Sequence, residues 1–162
     1  MAPRHRMLTL AAATVLIAGS VGLAQAPGGP PPTPEQQAEK AVKTRQGLFE
    51  LQGFTFGPVG AMLKGAPLDA ALVQKEAARL RVEAGLIPEV FQLDTHKLQV
   101  PSKARESIWT NKAAFDKKAD DLQTAAAALE AAAQKGDRAA ILDAGSKVGS
   151  ACKSCHEDFR EK

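Results

Sequence analysis

The sequence contains no tyrosine and few other aromatic residues, since six phenylalanines and one tryptophan make up 4% of its 162 residues. Hydrophobic residues still account for 44% of the chain, and alanine is prominent among them. This composition favours closely packed helices over strands, which are enriched in aromatic and β-branched residues. The length and apolar content suffice for one domain with a single core. We therefore expect an all-α protein.

Cysteine is equally scarce. The chain has two cysteines, Cys152 and Cys155, in the spacing C-x-x-C. A disulfide between them would close a very small loop and would restrain little of the unfolded chain. A disulfide-stapled scaffold is therefore excluded, and the pair requires another chemical explanation.

The chain also lacks a strong charge of one sign. Its formal net charge is +3, and loss of residues 1–26 would remove two arginines and no acid, leaving 19 basic and 18 acidic residues. Nucleic-acid-binding domains carry a marked basic excess. We therefore expect no nucleic-acid partner.

No hydrophobic run is long enough for an obvious membrane span. The apolar run at 7–18 is short, follows Arg4-His5-Arg6, and leads to the A-x-A sequence Ala24-Gln25-Ala26. This order is typical of a signal peptide. We predict that residues 1–26 are a signal peptide cleaved near 24–26, and that the mature protein is periplasmic without membrane attachment. An uncleaved membrane anchor is the alternative.

Residues 27–34 are rich in proline and glycine and predict an extended linker before a domain at 35–162. Capping and proline signals predict four helices. Helix A begins with Thr33 as N-cap and runs toward Gly57-Pro58; helix B runs from Asp69 to about Leu86, helix C over 103–135 and helix D from Asp137 nearly to the end. Residues 87–102 show no sustained period and predict a long connection. Each helix has an apolar stripe in steps of three and four, so we expect an up-down-up-down four-helix bundle.

The last helix carries the chemistry. Its segment Cys152-Lys153-Ser154-Cys155-His156 is a C-x-x-C-H motif, the attachment signature of a c-type haem. On a helix, residues 152 and 155 share one face, so two thiols can add to the two vinyl groups at one porphyrin edge. His156 lies one turn from Cys152 and can ligate the iron. We predict one covalent haem c, anchored by Cys152 and Cys155, with His156 as metal ligand.

Three other interpretations of the motif stay open. A thioredoxin-like redox pair follows a strand in a βαβ unit. A structural zinc site needs four ligands, and besides the motif only His96 remains after cleavage. A simple disulfide leaves His156 without a role.

Three further residues are candidates for the same site. Arg45 lies on the inward stripe of helix A, where it either reaches the surface or an acid, or pairs with a haem propionate. Arg160 follows His156 by one turn and is either a modulator of the histidine or a favourable cation at a helix end. Phe49 is either ordinary core or the cover of the open iron face. A phenyl ring cannot ligate iron, so in the second case the iron is five-coordinate.

The chain resembles the cytochrome c′ family. The resemblance rests on Ala41–Gln46 with Phe49, on Phe56–Pro58 through Met62–Gly65, on Ala104-Arg105 and Ile108-Trp109, and on Val148-Gly149 leading into Cys152–His156 and Phe159-Arg160. It covers the whole domain in order. Where this chain has Glu106-Ser107, the family usually has Pro-Glu.

The resemblance implies a high-spin haem in a left-twisted bundle that is often a homodimer. It implies that Arg45 and Gln46 lie at the haem edge and propionates, that Phe49 is distal, that Arg160 flanks the proximal histidine, and that Arg105 is close to the haem. We expect an iron that binds nitric oxide and carbon monoxide and exchanges single electrons with an unidentified redox partner. The alternatives are a six-coordinate low-spin electron carrier, with Met62 or another sixth ligand, and a haem-free thiol or metal module. No acid–base or nucleophile constellation predicts an enzyme, so any nitric oxide removal would be haem chemistry.

Overall fold

The computed structural model describes residues 30–162, so the predicted signal peptide and the first three residues of the predicted linker lie outside the described residues. Six helices occur in the described part of the chain. They are α1 Pro34–Leu63, α2 Ala70–Gly85, α3 Ile87–Val90, α4 Ser107–Thr110, α5 Lys112–Lys135 and α6 Arg138–Phe159. Residues 30–162 contain no β-strand, only one isolated bridge between Ala104 and Arg160.

The four long helices α1, α2, α5 and α6 form an up-down-up-down four-helix bundle, as the sequence predicts. α5 packs between α2 and α6, and α1 packs against α2 and α6. Close approach is possible because small residues lie at the contacts. At Gly145 in α6, a β-carbon would come within 3.1 Å of Leu63 in α1.

Three of the four predicted helix starts, those at Thr33, Asp69 and Asp137, are confirmed. Thr33 and Gln36 form a capping box, in which the Gln36 amide donates to Thr33 Oγ1 over 3.3 Å and the Thr33 amide donates to Gln36 Oε1 over 2.9 Å. Asp69 accepts from the Leu72 amide at α2, and Asp137 accepts from two amides at α6. Pro34, the last residue of the predicted linker, is the first residue of α1, as the prediction of Thr33 as N-cap requires.

The predicted end of the first helix at Gly57-Pro58 is wrong, because α1 continues to Leu63. Proline removes one backbone donor, but its fixed φ is compatible with a helix. The turn beyond it buries Val59 and Met62, at 2% and 7% exposure. Burial of these two side chains offsets the missing hydrogen bond.

The predicted single helix at 103–135 is also wrong in its first third. Residues 103–106 are irregular, α4 is one turn, and a break at Asn111 separates it from α5. The backbone at 103–105 instead pairs with the chain terminus. The Arg105 amide donates to the Phe159 carbonyl over 3.1 Å, and the Glu161 amide donates to the Lys103 carbonyl over 2.8 Å. The predicted connection at 87–102 contains the one-turn helix α3 and is otherwise irregular.

The core follows the predicted stripes. Its largest fully buried side chains are Phe115, Leu80, Ile108, Leu129, Ile141, Val59, Val73 and Val148. Phe49, Phe56, Cys152 and Cys155 are not fully buried, and all four border one cavity. None of the helices within 30–162 combines the length and the apolarity of a membrane span.

Candidate cofactor site

A cavity of about 1000 Å³ opens between α1, α6 and the α4–α5 segment. Its wall on α6 includes Cys152, Cys155 and His156, and its wall on α1 includes Arg45, Gln46, Phe49, Gln52 and Phe56. Apolar side chains such as Leu80, Phe91, Ile108, Phe115, Leu122 and Phe159 form much of the remaining lining. The motif that predicts haem attachment therefore faces a large apolar space inside the bundle.

The two cysteines are free thiols on the inner face of α6, and both are half-buried. Burial raises the pKa of Cys152, and it raises the pKa of Cys155 to about 11. Both groups are consequently protonated near neutral pH. Two neighbouring neutral thiols at the wall of an apolar cavity fit a group that forms thioethers at one edge, whereas a redox pair requires a thiolate nucleophile.

His156 has one side in solvent and one side toward the cavity. Its pKa is lowered, first by partial burial and then by the positive charge of Arg160. The imidazole is therefore neutral near pH 7, the form that ligates a metal. Within residues 30–162, no three histidine, cysteine or acidic side chains converge to hold a metal ion, which disfavours the zinc interpretation.

Arg160 borders the cavity next to His156. Its backbone amide donates to the His156 carbonyl over 3.2 Å and ends α6. The same end of the motif is tied to α5 by Lys118, which lies 2.9 Å from Asp158 Oδ2 and also hydrogen-bonds Ser154 Oγ. Lys118 also borders the cavity, so these contacts hold the attachment segment in place at the cavity wall.

Arg45 borders the cavity but directs its guanidinium into the 91–106 loop. It is 3% exposed, and it donates to the Val90 carbonyl and to Thr95 Oγ1, each over 2.8 Å, and to the Leu93 carbonyl. Its Cζ lies 4.6 Å from the centre of the Phe91 ring. Burial lowers the pKa of Arg45, an effect that Asp94 opposes. Arg45 therefore neither reaches the surface nor pairs directly with an acid. In the structure it anchors the 91–106 loop.

Gln46 and Phe49 lie at the cavity on the exposed side of α1. The Phe49 ring is 37% exposed and its centre lies 6.0 Å from that of Phe91. Phe91 in turn lies 4.9 Å from Phe115, so an aromatic row continues from α1 across the cavity wall.

The structure does not bring Arg105 to this cavity. Its Nη1 donates to the carbonyls of Glu157 and Asp158, over 3.0 and 3.3 Å, and its Nε lies 3.5 Å from Glu161. It borders a separate, smaller pocket of about 230 Å³ near His96. Arg105 therefore caps the end of α6, the helix that carries the motif.

Sequence reasoning missed Phe91 and Lys118 as site residues. Phe91 lies in the segment without a hydrophobic period, so no pattern indicated it. Lys118 lies on α5, four residues after half-buried Ala114 and four before buried Leu122. This spacing predicts that the cation is partly buried, but it does not predict which residues it contacts. Met62, the sixth-ligand alternative, is buried in the core and does not line the cavity.

The fold and the site together define a c-type haem protein built on a four-helix bundle. The sequence model of the family described as Cytochrome C' matches residues 40–160. The cytochrome c′ of Cereibacter sphaeroides is 38% identical over 128 residues, which cover 77% of this chain and 85% of that protein. The cytochrome c′ of Rubrivivax gelatinosus is 35% identical over 128 residues, covering 78% and 98%.

Among solved structures, a nitric oxide complex of a mutant cytochrome c prime from Alcaligenes xylosoxidans superimposes with a TM-score of 0.67 at 33% identity, covering 77% of this chain and 97% of that one. The chain therefore belongs to the cytochrome c′ family, and its cofactor is a covalently attached haem c.

Proposed function

We propose that the protein is a periplasmic cytochrome whose haem iron is five-coordinate and high-spin, with His156 as its only protein ligand. The observation that carries the proposal is the placement of His156 and Phe49 at one cavity, the first on α6 and the second on α1. A phenyl ring offers iron no ligand. The packing of Met62 into the core supports five coordination over the six-coordinate alternative.

We further propose that the open face of the iron binds nitric oxide and carbon monoxide. Phe49 and Phe91 give that side an apolar wall. Bound dioxygen is polar and depends on a distal hydrogen-bond donor, whereas nitric oxide binds iron strongly without one. The nitric oxide complex of the Alcaligenes xylosoxidans relative supports the same ligand class here.

Arg160 and Gln46 are proposed to act at the haem edge, Arg160 beside the proximal histidine and Gln46 at the cavity rim. Arg45 supports the haem edge through the loop it anchors, and a propionate within reach of its guanidinium would share that charge. The haem also lets the protein exchange single electrons with a partner protein. Any removal of nitric oxide would be chemistry of the haem, with no protein residue as a catalyst.

The test is absorption spectroscopy of the purified, haem-loaded protein in the ferric and ferrous states, with and without nitric oxide and carbon monoxide. We expect a high-spin spectrum in both states and a new ferrous band with each gas. A low-spin ferric spectrum with a methionine–iron charge-transfer band would support the electron-carrier alternative. Met62→Leu separates the two further, because it removes that band only if Met62 is a ligand.

A further inference from the structure

The wall of the cavity on α1 contains a buried donor without a partner. Gln52 is 9% exposed, and its Nε2 has no hydrogen-bond partner among residues 30–162. Native proteins pair nearly all such groups, so an unpaired buried amide calls for an acceptor. The other amide side chain on this wall, Gln46, is exposed and can bind water freely.

The position of Gln52 indicates where that acceptor lies. Gln52 follows Phe49 by three residues, so the two side chains are neighbours on one face of α1. Both border the cavity opposite the wall that carries Cys152 and Cys155. A hydrogen-bond acceptor bound in the cavity beside Phe49 would therefore lie next to the Gln52 amide.

A competing acceptor is a carboxylate on α2 that is bonded to α1. Thr55, one turn beyond Gln52, donates to Glu83 Oε1 over 2.8 Å, and Glu83 Oε2 has no partner among the described residues. Thr55 and Glu83 do not line the cavity, whereas Gln52 does. The amide thus lies on the cavity side of this pair.

We propose that Gln52 donates a hydrogen bond from Nε2 to a diatomic ligand bound on the Phe49 side of the iron. This inference rests on the proposed gas binding and refines it. Phe49 and Phe91 make the cavity wall beside that ligand largely apolar, and the Gln52 amide is a neutral donor that stabilises negative charge shifted onto the outer atom of the ligand. A neutral amide does so modestly, in keeping with a site built mainly from phenyl rings.

The experiment uses the haem-loaded protein with carbon monoxide in the ferrous state. We compare the wild type with Gln52→Leu and Gln52→Ala, which both remove the donor, and record the C–O stretching frequency by infrared spectroscopy. Loss of a donor weakens back-donation into the ligand, so the frequency rises in both variants. The affinity for carbon monoxide falls about two- to five-fold, the effect of a weak neutral hydrogen bond.

Thr55→Val is the matched control, because Thr55 is also buried on the same helix but does not line the cavity. It leaves the C–O frequency unchanged. An unchanged C–O frequency in both Gln52 variants overturns the inference. If their stability then falls as it does in Thr55→Val, the Gln52 amide is a partner of Glu83. If the vibrations of the haem propionates shift instead, the amide is a partner of a propionate. If the wild type forms no carbon monoxide adduct, gas binding itself fails, which is a different result.

Discussion

At the residue scale, Arg45 illustrates what a pattern can and cannot predict. Its place on the inward stripe of α1 predicted that its charge needs either a route to the surface or a partner, and the structure buries it. Its partners, the carbonyls of Val90 and Leu93 and the Thr95 hydroxyl, come from residues 45 to 50 positions away in a segment without periodicity. No local signal in a sequence specifies contacts made by an irregular loop.

The loop contacts predict a large stability effect for Arg45. Arg45→Leu leaves the carbonyls of Val90 and Leu93 and the Thr95 hydroxyl without their donors, so we expect the free energy of unfolding of the haem protein to fall by about 3 kcal/mol. Denaturant unfolding measures it. Lys43→Leu, two residues away and exposed, should change it by less than about 0.5 kcal/mol. Equal effects of the two substitutions would argue that the loop contacts contribute nothing.

The attachment thiols give a pH prediction for the haem-free chain. Burial raises the pKa of Cys155 to about 11, so its thiolate is rarer at neutral pH than that of an ordinary thiol near about 8.5. We expect alkylation of Cys155 by iodoacetamide to keep accelerating with pH up to about 11, and peptide mass spectrometry can follow it site by site. Unfolding in urea should restore a plateau near about 8.5, which serves as the control. A plateau near 8.5 without urea would mean that the cavity does not form before haem is attached.

At the element scale, the helix boundaries set by local caps were predictable, and those set by tertiary contacts were not. Thr33, Asp69 and Asp137 cap their helices through contacts with residues two or three positions away, which a sequence displays directly. The continuation of α1 past Pro58 depends on burial of Val59 and Met62 against other helices. The loss of 103–106 from the third long helix depends on pairing with residues 159–161. Both outcomes are decided by tertiary contacts.

The end of α6 separates two arginines that sequence reasoning placed together at the haem. Arg105 caps the carbonyls of Glu157 and Asp158, whereas Arg160 borders the cavity beside His156. We expect Arg105→Ala to lower the free energy of unfolding by about 1–2 kcal/mol through lost capping bonds, with the ferrous carbon monoxide spectrum unchanged.

Arg160→Ala should have the opposite pattern of effects, with a change at the haem and little change in stability. Removing a cation beside His156 changes the electrostatic environment of the proximal ligand, so the iron–histidine stretching frequency of the ferrous protein shifts while stability changes little. Resonance Raman spectroscopy of both variants, alongside denaturant unfolding, gives the two readouts. A shifted iron–histidine band in Arg105→Ala would return Arg105 to the haem environment.

At the scale of the whole molecule, the bundle and its haem motif follow from the sequence because both depend on periodic or contiguous residues. The apolar stripes with steps of three and four residues, the helix caps and the C-x-x-C-H segment can each be recognised within a single helix. The composition of the cavity wall is not, since Phe91, Lys118 and the donor of Gln52 matter through their distances to other elements. The family relationship is consistent with this division, because members of one family share a fold while the side chains that line a site can differ between them.

The surface of α1 and α2 leads to a prediction about assembly. Leu51 and Phe54 on α1 are 48% and 75% exposed, and Val82 on α2 and Leu86 directly after it are 62% and 41% exposed. Large apolar side chains left in water on two neighbouring helices favour burial against another protein surface. We expect the haem protein to be a homodimer that uses these helices, and sedimentation equilibrium measures its dissociation constant.

Phe54→Glu tests this interface, because a two-fold axis places each substitution in the contact twice. Losing the burial of two phenyl rings, at about 1.5–3 kcal/mol each, raises the dissociation constant by about 10²-fold or more. Leu93→Glu is the control, since Leu93 is 40% exposed but lies in the 91–106 loop. Equal dissociation by both variants would move the interface away from α1 and α2, and a monomeric wild type would contradict the dimer. Because the cavity opens elsewhere on α1, through the face that carries Phe49 and Gln52, dissociation by Phe54→Glu should leave the carbon monoxide spectrum unchanged.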